Sequence, residues 1–215
     1  MMTKDVIVNK YAEFAKQTFI RLKAEYNLGD DVSFTVPTIT EYMVDEYDAR
    51  YKHNCDSVQS VMTEITNDYL LEQSFMFTKY DAYGDGSISY RIILPKYHIS
   101  EILVGSNNEQ DINAYIEESI KHEIGHVLHT KYIISVFREG AEDILNEEDL
   151  LFIRDYNAFL IAMDERDDIS DYQYQKEVVS KYYSLSPEAD ANKCANVDVD
   201  RLINLELKVR IGISE

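Results

Sequence analysis

The chain has 215 residues, 45% of them hydrophobic and 28% charged, enough apolar material to bury a core without cross-links and too much for a disordered polymer. Against 21 basic residues stand 40 acidic ones, and the net charge of −19 repels nucleic-acid phosphates and anionic lipid headgroups. The excess acid serves solubility, or else attracts basic substrates or metal ions. From Asp5 to about Asn27 apolar residues recur at helical spacing, and "NLGDD" closes the run. "VSFTV" (32–36) alternates and is β-branched, which predicts a short strand before Pro37. The Tyr-rich stretch 41–54 carries no clear period. Residues 56–73 resume helical spacing, with Asp56 or Ser57 as cap.

Residues 74–94 form two β-rich runs around Gly-Asp-Gly, the pattern of a hairpin. The same stretch imitates a calcium loop at Asp81, Asp85, Gly86 and Ile88. It fails where charge is needed, at Tyr83 and Ile92, so a plain turn is expected. "EILVG" (101–105) reads as one more strand. The most strongly helical segment runs from about 111 to 137, and helices are expected at 146–165, 171–185 and 186–208, the last with Ser186 as cap and Pro187 in the first helical position. The prediction is therefore an α+β chain. A small mixed or antiparallel sheet lies in the N-terminal part, about 1–137, and the C-terminal part, about 138–215, is all helical, the two making a single domain. The two cysteines, Cys55 and Cys194, form no CxxC pair. No secretory leader or membrane span is legible, so the chain reads as cytoplasmic. Abundant Ile, Asn, Lys, Tyr and Asp without tryptophan points to an AT-rich bacterial or viral genome.

Within the long helix "ESIKHEIGHVLHTKY" (117–131) places His122, Glu123 and His126 in the pattern HExxH. Two histidines four residues apart share one helix face about 6 Å apart, close enough to grip one ion, and a carboxylate beside them can take a proton from water. Ile116, Ile120, Ile124, Val127 and Ile134 form a separate stripe, so the histidines face something other than the core that the stripe packs on. Gly125 costs the helix about 1 kcal/mol relative to alanine, which implies close approach of another element. A catalytic zinc needs a third protein ligand. His129 shares the face but lies roughly 10 Å along a straight helix from His122, so it is read as a residue that lines the cleft or supports a ligand. "SPEADANKCA" (186–195) offers Glu188 as a ligand, with Asn192 on the same face to hold a ligand or nearby backbone in place. Glu188 also suits a helix N-terminus with no metal at all.

"HEIGHVLH" and "EADANKCA" together resemble the zinc peptidases with a glutamate third ligand, the gluzincins, and more narrowly the ImmA/IrrE-like minigluzincins. Those carry HE-L/I-GH followed by an E-x-x-A-N-x-x-A helix, which is matched here at Glu188, Ala191, Asn192 and Ala195. The resemblance implies a zincin-like fold holding one Zn²⁺ on His122, His126 and Glu188, with Glu123 as general base and a protein or peptide as substrate. It implies a strand before the active helix whose exposed edge pairs with substrate, for which "ISYRIIL" and "EILVG" are the candidates. An electrophilic donor is also implied, with His98, His129, Tyr182 and Tyr183 as candidates. The chain departs from the pattern in the step of 62 positions from His126 to Glu188 and in Cys194, where the family has an aromatic. The alternative function is that of an inactive metal-binding relative serving as an interaction module.

Overall fold

The structure is a computed structural model that describes residues 4–51, 76–83, 86–138 and 172–211. The helices predicted at 56–73 and 146–165 lie outside the described residues, as does Cys55. The chain is mixed α and β, mostly helical, with a small three-stranded mixed sheet. It forms two compact units, 1–104 and 105–215, so the long helix groups with the C-terminal helices. Among the described residues no helix is long and apolar enough to cross a membrane.

In the first unit helix α1 (Lys4–Glu25) buries Val8, Tyr11, Ala12, Ala15, Thr18, Phe19 and Leu22, a single stripe at intervals of one, three and four. Phe19 stacks on Phe34 of strand β1 (Val32–Thr35) with ring centroids 5.1 Å apart. The helix ends because Asn27 takes a left-handed conformation (φ 51°), which lets the Leu28 N–H donate to the Lys23 carbonyl. Strands β2 (Phe77–Ala82) and β3 (Ile88–Ile93) pair antiparallel, with Asp81 opposite Ser89, and β1 adds to β3 in parallel. Gly86 supplies the positive φ (81°) of the turn between them. Across it the Tyr83 N–H donates to the Ser87 carbonyl and the Gly86 N–H to the Tyr83 carbonyl, both at 2.9 Å, and the Asp81 carboxylate accepts from Arg91 Nε at 3.0 Å. The period-free stretch after Pro37 is helix α2 (Ile39–Tyr51), opened by a reciprocal cap in which Thr38 N–H donates to Glu41 and Glu41 N–H donates to the Thr38 hydroxyl. Its Glu46, 3% exposed, accepts from Arg91 at 2.8 Å and holds this helix on the sheet.

Two strand expectations are corrected here. "EILVG" ends helix α3 (Lys96–Gly105), where Ile99 and Ile102 are fully buried at helical spacing. A run of four or five apolar residues does not distinguish a strand from one buried helical turn. "ISYRIIL" contains β3, which is the central strand with partners on both sides, so it has no free edge for a substrate chain.

The second unit is built on helix α4 (Glu109–Arg138), capped by Asn108, whose Oδ1 accepts from the Gln110 N–H at 3.0 Å. Ile116, Ile120, Ile124 and Val127 are fully buried as the stripe requires, while Ile134 is half-buried. Helix α5 (Tyr172–Tyr183) follows. The expected helix 186–208 is in fact two, α6 (Ser186–Cys194) and α7 (Val199–Glu206), followed by a π-helical turn at Leu207–Ile211. Asn196, with φ 51°, terminates α6, and the Asp198 side chain caps α7 by accepting from the Arg201 N–H at 3.0 Å. Ser186 already belongs to α6, whose cap position is the extended Leu185, with no side-chain cap. Both α6 and α7 pack against α4, and α5 packs against both of them.

Candidate metal centre

Helical geometry alone stacks His122 and His126 on one face of α4, with ring centroids 4.7 Å apart. Glu188, Ala191, Asn192 and Ala195 follow the i, i+3, i+4, i+7 pattern of one stripe along α6 and its C-cap, and all four are buried. The two stripes meet. An ideal Cβ built on Gly125 would stand 2.0 Å from the Ala191 carbonyl oxygen, so only glycine admits the α6 backbone at this point. The close approach that Gly125 implied is that of Ala191.

This crossing brings three atoms to one spot. Glu188 Oε2 lies 2.9 Å from His122 Nε2 and 3.3 Å from His126 Nε2, and the two nitrogens are 3.2 Å apart. A ligand atom of Glu123 lies within 4.8 Å of those of His122 and His126. His122, Glu123 and Glu188 are buried, and His126 is half-buried. Asn192 meets the first of these histidines, its Oδ1 lying 2.8 Å from His122 Nδ1. An amide oxygen only accepts, so the Nδ1 carries the proton and a neutral His122 turns the lone pair of Nε2 toward Glu188.

Lone pairs on three converging atoms repel unless a positive charge lies between them. In the metal-free chain a protonated His122 supplies that charge toward Glu188, but one proton lies along a line joining two atoms and leaves the His126 lone pair unmatched. Glu188 Oε2 accordingly has ion-pair distances but no aligned hydrogen-bond partner among the described residues. Donors held about 2.0–2.1 Å from a single tetrahedral cation stand about 3.3–3.4 Å apart. The observed separations of 2.9–3.3 Å match that set to within a few tenths of an ångström, so these residues fit a zinc-like ion.

The electrostatics agree. Burial works against a charged His122, but its contact with Glu188 and the neighbouring Glu123 carboxylate outweigh that and push it up to about 9. Burial would raise Glu188, yet the contacts from His122 and His126 hold it down to about 2. A cation entering at pH 7 therefore displaces a proton from His122. We expect close to one proton released per ion bound, and an apparent affinity that rises about tenfold per pH unit from pH 7 until it levels near pH 9. Calorimetric titrations in buffers of different ionisation enthalpy measure this release directly, and a pH-independent affinity would contradict the assignment.

The remaining candidates are placed as follows. His129 Nε2 faces Asp190 Oδ2 at 3.7 Å, an ion-pair distance between α4 and α6, and it stays outside the three converging atoms. That contact links α4 to α6 beside the converging atoms. The Tyr183 hydroxyl donates to Glu206 Oε2 at 2.9 Å. Burial and the Glu206 carboxylate hold that phenol well above its ordinary range. Tyr182 sits edge-on to Tyr183 with centroids 5.2 Å apart, and His98 is buried in the first unit. Sequence reasoning missed Glu206 and Asp190 altogether, since an isolated acidic residue in an acidic helix carries no local signal. Compared with known proteins, the chain gives no match to a protein-family profile, a curated protein or a solved structure.

Proposed function

We propose that the chain is a zinc-dependent metallopeptidase of gluzincin type with a zincin-like active unit. His122, His126 and Glu188 would hold the ion, and Asn192 fixes the His122 ring for it. When bound, zinc supplies Lewis-acid polarisation of the scissile carbonyl and acidifies water. Glu123, beside the ligands and buried, takes the proton of the attacking water and delivers it to the leaving amine. Depletion of bulk water around these carboxylates strengthens each of these interactions. The substrate is a protein or peptide, and the chain's net charge of −19 favours basic segments.

The observation that carries this reading is the meeting of Glu188 with both histidines across 62 positions of sequence. An acid that merely suits a helix N-terminus has no reason to be buried against two imidazoles.

Metal content tests it first. After reconstitution the purified chain is expected to retain close to one zinc, and retention of none would end the proposal. Loss of Glu188 as alanine is expected to weaken zinc binding by at least about 100-fold, whereas His129→Ala should cost less than about tenfold, the lower bound for a supporting residue. A reversed order in a chelator-competition titration would exchange the two roles.

A further inference from the structure

His122 is flanked on a second side by a group to which the proposed mechanism gives no step. The Tyr183 ring stands perpendicular to the His122 ring (90°) with centroids 5.3 Å apart. Tyr183 is itself buried, and its hydroxyl is tied to Glu206, the last residue of α7, which is 8% exposed. Rotation of an imidazole about Cβ–Cγ is soft, with broad minima. Asn192 at Nδ1 and Glu188 at Nε2 hold two edge atoms of the ring, while neither covers its face. A perpendicular aromatic wall removes the ring's remaining tilt, and the Glu206 carboxylate keeps the wall from swinging. Packing alone explains less, because phenylalanine beside an apolar residue would fill the same space without burying a carboxylate, and buried polar pairs seldom add net stability.

We propose that Tyr183, anchored by Glu206, is a positioning residue that locks the His122 imidazole in its ligand orientation. The inference rests on the metal reading above for its purpose, although the brace itself is a property of the metal-free chain. Each of α4, α5, α6 and α7 then contributes one member of the set His122, Tyr183, Asn192 and Glu206.

The test uses the full chain with Tyr183→Leu, Tyr183→Phe and Glu206→Gln. Three quantities are read: the Co²⁺ dissociation constant against a chromophoric chelator, the visible spectrum of bound Co²⁺, and the ¹³C order parameter of the His122 ring in metal-free protein. Tyr183→Leu is expected to weaken Co²⁺ binding by about 10–100-fold, shift the cobalt bands and lower the ring order. Glu206→Gln keeps an acceptor for the hydroxyl and should stay near the parent in all three. Tyr183→Phe keeps the wall but not its anchor, and should fall between them. Parent-like values in Tyr183→Leu overturn the proposal; if that variant does not fold, parent-like ring order in Tyr183→Phe does so instead. Should the parent chain itself bind no Co²⁺, the metal reading fails, and ring order alone decides the brace: lost in Tyr183→Leu it stands, unchanged it falls.

Discussion

Glu123→Gln is expected to keep the zinc and lower peptide hydrolysis by about 10²–10⁴-fold, the usual worth of a positioned general base. The change preserves size and shape at a buried position, so the fold should be unaffected. Its effect on metal binding is the balance of two small terms. One negative charge near the cation is lost, and so is one of the charges that holds the competing proton on His122. Affinity should therefore stay within about tenfold of the parent by chelator competition, while turnover of a fluorogenic peptide library falls. Hydrolysis at the parent rate would show that Glu123 is not the base. A parent chain that binds zinc but cleaves nothing would favour the interaction-module alternative.

Gly125→Ala is expected to destabilise the chain, although alanine is the better helix former by about 1 kcal/mol. The added methyl would meet the Ala191 carbonyl oxygen at 2.0 Å and its carbon at 2.6 Å, both backbone atoms inside α6. A side chain could rotate away, but a helix backbone must be displaced whole. Overpacking of this kind costs on the order of 1–3 kcal/mol or more. With a net loss of about 2 kcal/mol the midpoint of thermal unfolding should fall by roughly 4–8 °C. The larger effect is on the centre. Glu188 lies on α6 three residues before Ala191, so a shift of that helix by an ångström breaks ligand distances that tolerate about 0.2 Å. Zinc affinity should drop at least tenfold. Adding Ala191→Gly should not restore it, because the obstructing atom is a carbonyl that glycine retains. Unchanged affinity and stability in Gly125→Ala would contradict the close crossing.

Several features were legible because their physics is local. Four-residue spacing stacks His122 and His126 whatever the rest of the chain does, and the isoleucine stripe of α4 follows from the same period. A glycine that weakens a helix interior signalled a crowded neighbour, which is Ala191. The four-point pattern at Glu188, Ala191, Asn192 and Ala195 also defines a single helix face from spacing alone.

Other features depended on which surfaces meet. The last helical stretch divides because Asn196 and Asp198 act as terminator and cap, roles that asparagine and aspartate take only in a suitable backbone. Strand order is a property of pairing, so "ISYRIIL" became a central strand without any change in its own pattern. "EILVG" is helical because its burial period is set by the neighbours it packs on. By itself the sequence determined the chemistry on offer: two imidazoles on one face, a carboxylate beside them, and an acidic helix further on. Only tertiary structure decided that Glu188 meets the imidazoles while His129 pairs with Asp190, and that Tyr183 and Glu206 stand behind His122. Helical periodicity fixes geometry over a few residues, whereas the crossing of α4 and α6 depends on the space left at Gly125 by a missing side chain.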